Sequence, residues 1–531
     1  MSQIAAMPRW LWLLLTGVLA ALPLLGLDRI GWQLATNSLL LVGGVVAIAV
    51  PLGTFLAVAL FRFDIPFRRL WIALSVLQIF IPLYVYGAAW RSTLGLTGWA
   101  HDSSLGRIPW LMLDGWSGAI WTHAAASVPW VVLILGIALR YVEPELEEDA
   151  LTAGSFGQVL QRVTFRRVGL AAAVSTLWIA VVTATEITAT DLFQVRTFAE
   201  ELYTAISLTN PSLISADYAT IANTTIAAWL ALLLMVVLKG LAAHTKAPPT
   251  RQAVLFPLVG AKRFVAGIVT ALVMLIMVGV PLGTMVRNAG IIFDVGPHGL
   301  PQQSWSATDA AQTIASSPVT YHEEFSWAVQ TAVAAATCVL IVATLACWVG
   351  RHGGWKALPA LSLTSISLAL PGPLIAMCLI RLWSQSESAM FIFLYDRTIV
   401  PPMLGQMIKA LPAAILILWM SLHSVPQETL ESASSAGAGG WTRWWRIALP
   451  QRVVAVAAAW LAAFAIAIGE VPASILLQPP GISLMSPHIF TLLHGENVHE
   501  IAGIILAMWG IAALAGGVIV LWWRKVAATP H

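Results

Sequence analysis

The chain of 531 residues lacks a phosphate-cradling loop: no GxxxxGK[ST] run is present, and none of its six lysines follows a glycine, so it cannot hold ATP phosphates by that means. Its three cysteines, Cys338, Cys347 and Cys378, lie in apolar runs without CxxC spacing, which excludes a disulfide framework or zinc site and reads as small buried hydrophobes. The eleven histidines show no HExxH spacing. Tyr321-His322-Glu323-Glu324 offers hard ligands, but four adjacent residues seldom converge on one ion, and no metal is expected there. No Ser/His/Asp grouping argues for catalysis, so neither an enzyme nor a cofactor is expected. Charged residues are only 10% of the chain, and the net charge of +3 is scattered, which gives no basis for nucleic-acid binding.

Apolar sequence is abundant. At 59% hydrophobic and a mean hydropathy of +0.82, the chain reads as an all-α polytopic membrane protein. Runs long enough for a bilayer, which needs about 20 residues, fall near 10–27, 36–60, 70–90, 117–140, 168–190 and 218–241. A second set falls near 264–286, 326–349, 358–381, 403–423, 453–476 and 501–523. The expectation is about twelve transmembrane helices as two parallel six-helix repeats, since an even number of crossings returns each half to the same orientation. The first run follows a single Arg9 without a convincing small-residue cleavage site and reads as an uncleaved helix.

Lys and Arg placement orients the chain. With the N-terminus inside, twenty basic residues fall in cytoplasmic loops and eight, including Arg91, Arg196, Arg287 and Lys409, fall outside. Both termini are then cytoplasmic. Residues 242–263, polar with paired prolines, read as a cytoplasmic linker between a first half, 1–241 with its core at about 33–241, and a second half, 264–531 with its core at about 326–524. The outer loop 287–325 shows no periodicity and is expected to be irregular and exposed. Trp10, Trp12, Trp90, Trp99, Trp110, Trp522 and Trp523 read as an interfacial belt.

Duplication shows best in one stretch. Pro129–Gly154 laid on Pro412–Gly437 gives eleven identities in 26 positions without a gap, at Pro129, Leu133, Ile134, Leu135, Leu139, Val142, Glu145, Glu148, Ala150, Ala153 and Gly154. These loops of roughly 28 residues exceed a tight helix connection. Ser424-Val-Pro426-Gln427 has the composition of a helix start, Glu145 and Glu428 suit the positive end of a helix dipole, and Gly154, Gly157, Gly437, Gly439 and Gly440 supply a stop. A second amphipathic helix follows in Trp441-Thr-Arg-Trp-Trp-Arg-Ile-Ala-Leu449. A short helix of this kind suits a partner's groove, whereas a single copy would equally suit a helix lying on the bilayer.

Glu431-Ser-Ala433, Gly437 and the ending Ile447-Ala-Leu449-Pro450 resemble the EAA signature of permease subunits of ATP-binding-cassette (ABC) importers of type I, the binding-protein-dependent kind. The resemblance implies that Glu148, Ala150 and Gly154 in one half, and Glu431, Ala433 and Gly437 in the other, form loops that couple to the ATPase. It further implies two copies of a cytoplasmic ATP-binding subunit, an extracytoplasmic solute-binding protein, and a place in the lipid bilayer of the bacterial inner membrane. Departures are Asp149 and Ser432 at the motif's second position, one residue fewer after Gly154, and Val163-Thr-Phe165-Arg166 where the family ends in Leu-Pro. The duplicated architecture is similar to fused ferric-iron and thiamine permeases, and Gln478-Pro479-Pro480-Gly481 looks most like the ferric-iron group, with thiamine, sulfate, polyamine and phosphonate behind it. An ion-gradient-driven transporter is the alternative class.

Ionisable residues within apolar spans call for a role. Glu186 and Glu470 match at an offset of 284 and are expected either to line a translocation path or to cap a broken helix, with Arg196 as a possible partner; Asp191 reads as interfacial. Pro82 pairs with Pro371 and Pro129 with Pro412 as expected kinks.

Overall fold

The computed structural model describes residues 16–96, 98–100, 112–208, 218–244, 255–295, 301–385, 388–494 and 497–511. Trp10, Trp12, Trp110, Trp522, Trp523 and the linker's centre lie outside them.

The first half begins with α1 (Thr16–Gly26) and α2 (Arg29–Arg62), whose Asp28 side chain accepts from the Gly31 amide at 2.7 Å and caps it. Then come α3 (Arg68–Phe80), α4 (Leu83–Leu94), α5 (Gly115–Arg140), the short α6 (Pro144–Ala153) and α7 (Phe156–Ala184). It closes with α8 (Thr188–Leu192), α9 (Phe198–Leu208) and α10 (Tyr218–His244). The second half opens with α11 (Ala261–Ala289), a hairpin of β1 (Ile291–Val295) and β2 (Pro301–Trp305), and α12 (Ala307–Thr320). It continues with α13 (His322–Gly350), α14 (Gly354–Ala369), α15 (Gly372–Ser384), α16 (Ala389–Arg397), α17 (Val400–His423) and α18 (Gln427–Ser435). Last are α19 (Gly440–Gln451), α20 (Val453–Ile468), α21 (Ser474–Leu477), α22 (Met485–His494) and α23 (Val498–Ile511).

Seven of the described helices are long and apolar enough to cross a membrane, or ten if each bent pair counts as one span. In both halves the core is a trio of mutually packed helices: α2, α5 and α7, and α13, α17 and α20. Helices approach closely where side chains are absent, since a Cβ on Gly53 would lie 2.4 Å from Val131 and one on Gly136 2.4 Å from Phe61. The halves interlock. α10 packs on α14 of the second half, while α11 crosses back to α4, where Thr93 and Thr284 hydroxyls meet at 2.6 Å.

The runs expected at 70–90 and 358–381 are broken, not merely kinked: α3 meets α4 at 104°, and α14 meets α15 at 106°. A residue before proline is pushed towards extended backbone. Ile81 (φ −92°, ψ 112°) precedes Pro82, and Leu370 (φ −87°, ψ 117°) precedes Pro371, so the two breaks share one geometry. Pro129 and Pro412, in contrast, lie buried within continuous helices. Residues 287–295 and 301–325 are also more ordered than expected, because the hairpin pairs Ile291 with Trp305 and Ser306 caps α12 through its bond from the Asp309 amide. Trp90 is no belt residue: it is buried, edge-on to Trp121 at 5.3 Å. Nor is Cys378 a buried hydrophobe, for it lies on an exposed face, while Cys347 is buried and Cys338 half-buried.

Candidate functional site

The two repeated loops fold alike up to the glycine. α6 and α18 follow their long helices directly, and both bury the residue at one shared register, Glu147 in α6 and Leu430 in α18, with Pro144 buried besides in α6. Glu148 and Glu431 are exposed, and Ala150 and Ala433 are half-buried, so the signature positions present one face outwards. The expected hydroxyl cap is absent, because Pro426 occupies the N-cap and the Ser424 hydroxyl donates to the Ser421 carbonyl.

Anchoring differs between the loops. Glu147 pairs with Arg62 at the end of α2 at 3.0 Å, both side chains fully buried. The Thr164 hydroxyl donates to the other Glu147 oxygen at 2.6 Å, and Arg62 donates to the Leu139 carbonyl at 2.7 Å. Burial pushes the Glu147 carboxyl above the usual carboxylate range, against the opposing pull of Thr164 and Arg62. In the second loop the same register holds Leu430 and Ala448, both buried, and Arg351 stacks over the Trp348 ring at 3.1 Å. Arg452 there donates to the Ser424 carbonyl.

The glycines also diverge. Gly437 is left-handed (φ 86°) and closes α18 with the Gly437 amide on the Ser434 carbonyl and the Ala438 amide on the Ala433 carbonyl, both at 2.9 Å. Gly154 is extended (φ −149°), because the first loop lacks the residue that completes this turn; Ser155 instead opens α7 with a capping box to Gln158. Beyond the turn each chain passes through a π-helical segment, 160–164 and 443–448. α7 then continues unbroken, whereas α19 meets α20 at 84° just after Pro450, whose ring cannot donate to the helix ladder.

A second constellation lies deeper. Glu186 and Glu470 each occupy the break after a long helix and cap the short helix that follows. Ala189 donates to Glu186 at 3.3 Å and the Thr188 hydroxyl at 2.5 Å; Ala473 and Ser474 amides donate to Glu470 at 2.7 and 2.8 Å, and the Ser474 hydroxyl at 2.6 Å. Arg196 is not the partner of Glu186, since it pairs with Glu201. The sequence did not single out Lys409, whose ammonium attracts both carboxylates and donates to Leu370, the carbonyl freed at the α14–α15 break, at 3.4 Å. His123 lies 3.9 Å from Glu186, and its repeat-register counterpart Gln406 is likewise buried. Comparing the halves at the 283-residue offset would have exposed the His123–Gln406 pair. Asp191 meets His494 at 3.0 Å, joining α8 to α22 across the halves.

Among the described residues no three His, Cys, Asp or Glu side chains gather as metal ligands, and Tyr321-His322-Glu323-Glu324 straddles the start of α13.

Residues 342–528 match the family model described as binding-protein-dependent transport system inner membrane component. That match supports an ABC-importer permease and contains α18, α19, Glu431, Ala433, Gly437, Lys409 and Glu470, while the first-half counterparts lie outside it. No curated protein matches the chain.

Proposed function

We propose that the chain is the permease subunit of an ABC importer in which two fused halves form one translocation path. The observation that carries this reading is the pair of exposed loop helices, α6 and α18, with their signature residues in one register, the second inside the matched permease region. Each helix seats in a groove of a separate ATP-binding subunit, two copies in all, on the cytoplasmic side of the bacterial inner membrane. Glu148, Ala150 and Gly154, with Glu431, Ala433 and Gly437, form the seats. A solute-binding protein delivers cargo at the other end, and ATP-driven closure of the two subunits draws the loops together and rocks the halves.

Glu186 and Glu470, capping matched breaks and both attracted by Lys409, form a polar constriction along that path. Ferric iron is the first cargo to test, on the resemblance of Gln478-Pro479-Pro480-Gly481, ahead of thiamine, sulfate, polyamine and phosphonate.

Membranes with the chain and its ATP-binding subunits should show solute uptake that requires ATP and survives collapse of the ion gradient. Cysteines replacing Glu148 and Glu431 should each cross-link to the ATP-binding subunit. Gradient-dependent uptake without that subunit would replace this reading with the secondary-transporter one.

A further inference from the structure

A cavity of about 650 Å³ opens at the end of the bundle away from α6 and α18, between the halves. α11 carries the chain there: it starts beside Asp64, where Arg263 pairs at 3.1 Å, and its 29 residues rise about 43 Å at 1.5 Å per residue. From α4 the wall receives Arg91, from the following turn Trp99, from the end of α11 Arg287 and Asn288, and from α23 His499 and Glu500. Arg287 sits over the Trp99 ring at 5.6 Å, which holds its guanidinium on the wall. Two guanidinium groups against the Glu500 carboxylate leave the lining net positive.

The polar groups beneath are incompletely used. Asn288 is only 2% exposed, yet its side-chain Nδ2 has no hydrogen-bond partner among the described residues. The Nδ1 of His499 is buried and likewise unpartnered, while its Nε2 meets the Thr313 hydroxyl at 3.0 Å. A buried donor without an acceptor is costly, and an acceptor placed in the cavity would relieve that cost. Nothing in the transport reading uses these groups.

We infer that this cavity is a binding site for a small oxyanion of the phosphate class, held by Arg91 and Arg287 and read by the Asn288 amide. Guanidinium groups match oxyanion geometry with paired donors, and the amide supplies a neutral donor below them. Free phosphate and the headgroup of an anionic lipid share this chemistry.

Full-length protein in discs of zwitterionic lipid, titrated calorimetrically with inorganic phosphate against chloride, tests the free ion. Native mass spectrometry after exposure to phosphatidylglycerol tests the lipid. Arg287→Gln and Asn288→Leu should each weaken binding by about tenfold, the loss of one charge-assisted hydrogen bond. Arg91→Gln, which leaves the Trp99 stack intact, should do the same if Arg287→Gln fails to fold. Lys356→Gln, at the opposite end, should change nothing. Saturable phosphate binding identifies the free ion, and lipid retention without it identifies the headgroup. Retention of neither, or binding that Arg91→Gln and Asn288→Leu leave unchanged, overturns the site.

Discussion

The first loop helix is held by a buried ion pair and the second by a buried leucine, although both occupy one register and present the same exposed face. In the first, Arg62 and Thr164 converge on Glu147 from two other elements. In the second, Leu430 and Ala448 fill the equivalent space, and Arg351 turns onto Trp348. A buried pair owes most of its energy to desolvation balanced against attraction, so it is worth little net but is costly to break from one side. An apolar plug loses only its own transfer and cavity terms. The two loops therefore attain similar seating by means that fail differently. The first is also covered from the linker side, where Phe156 packs between Phe63 and Phe256 at 5.2 and 4.4 Å.

The largest expected effect breaks the first anchor. Glu147→Ala removes the carboxylate that faces the buried Arg62 guanidinium and should cost about 3–5 kcal/mol, seen in chemical unfolding of the purified chain. Replacing both partners, Arg62→Met with Glu147→Leu, copies the second loop's solution and should recover most of that loss. If Glu147→Ala proves as stable as the parent, the ion pair is not an anchor.

Leu430→Ala probes the other side of the comparison. It should cost about 2–4 kcal/mol, less than the broken pair and without any rescue by a second substitution. The same unfolding measurement ranks the two, and a larger loss at Leu430 would invert the argument.

Much of this framework is legible in sequence for definite physical reasons. Long apolar runs must satisfy their backbone internally and so become helices, and α6 and α18 announce themselves by repetition; which proline breaks a span is not announced, since Pro129 and Pro412 sit inside continuous helices while Pro82 and Pro371 stand at the starts of α4 and α15. Contacts between distant positions are not legible. Arg62 and Glu147 are ordinary loop-flanking charges until α2, α6 and α7 converge, and Lys409 counts as one more outer basic residue until the α14–α15 break offers it the Leu370 carbonyl. The hairpin of Ile291–Val295 with Pro301–Trp305 has neither alternating hydrophobicity nor a two-residue turn signal, so only its pairing reveals it. Gly154 and Gly437 look equivalent in alignment and are not, since one missing residue decides whether the left-handed turn closes.

That difference supplies a smaller test. At Gly437 a β-branched residue must adopt φ near 86°, and Gly437→Val should cost about 1–2 kcal/mol and distort the exposed end of α18. At Gly154 the backbone is extended, and an added Cβ meets only the flexible end of Gln158 at 2.9 Å. Gly154→Ala should stay within about 0.5 kcal/mol. Cross-linking yields to the ATP-binding subunit, measured for each variant, should fall for Gly437→Val alone; equal falls would show that the two glycines act alike after all.

The smallest effect lies at the opposite end, where Asp191 and His494 join the halves at 3.0 Å. The Asp191 carboxylate holds the imidazole above its usual range, against partial burial and the repulsion of Arg91. A raised histidine contributes fully below its unfolded value of about 6.5 and loses that contribution as pH rises through the folded one. The junction should thus be tighter at pH 6 than at pH 8, by well under about 1 kcal/mol, since His494 is 51% exposed and solvent screens the pair. Distances between spin labels on α8 and α22 should lengthen as pH rises, and His494→Gln should flatten the response. A pH response that persists in His494→Gln would move the titrating group elsewhere and leave the two halves joined by contacts other than this one.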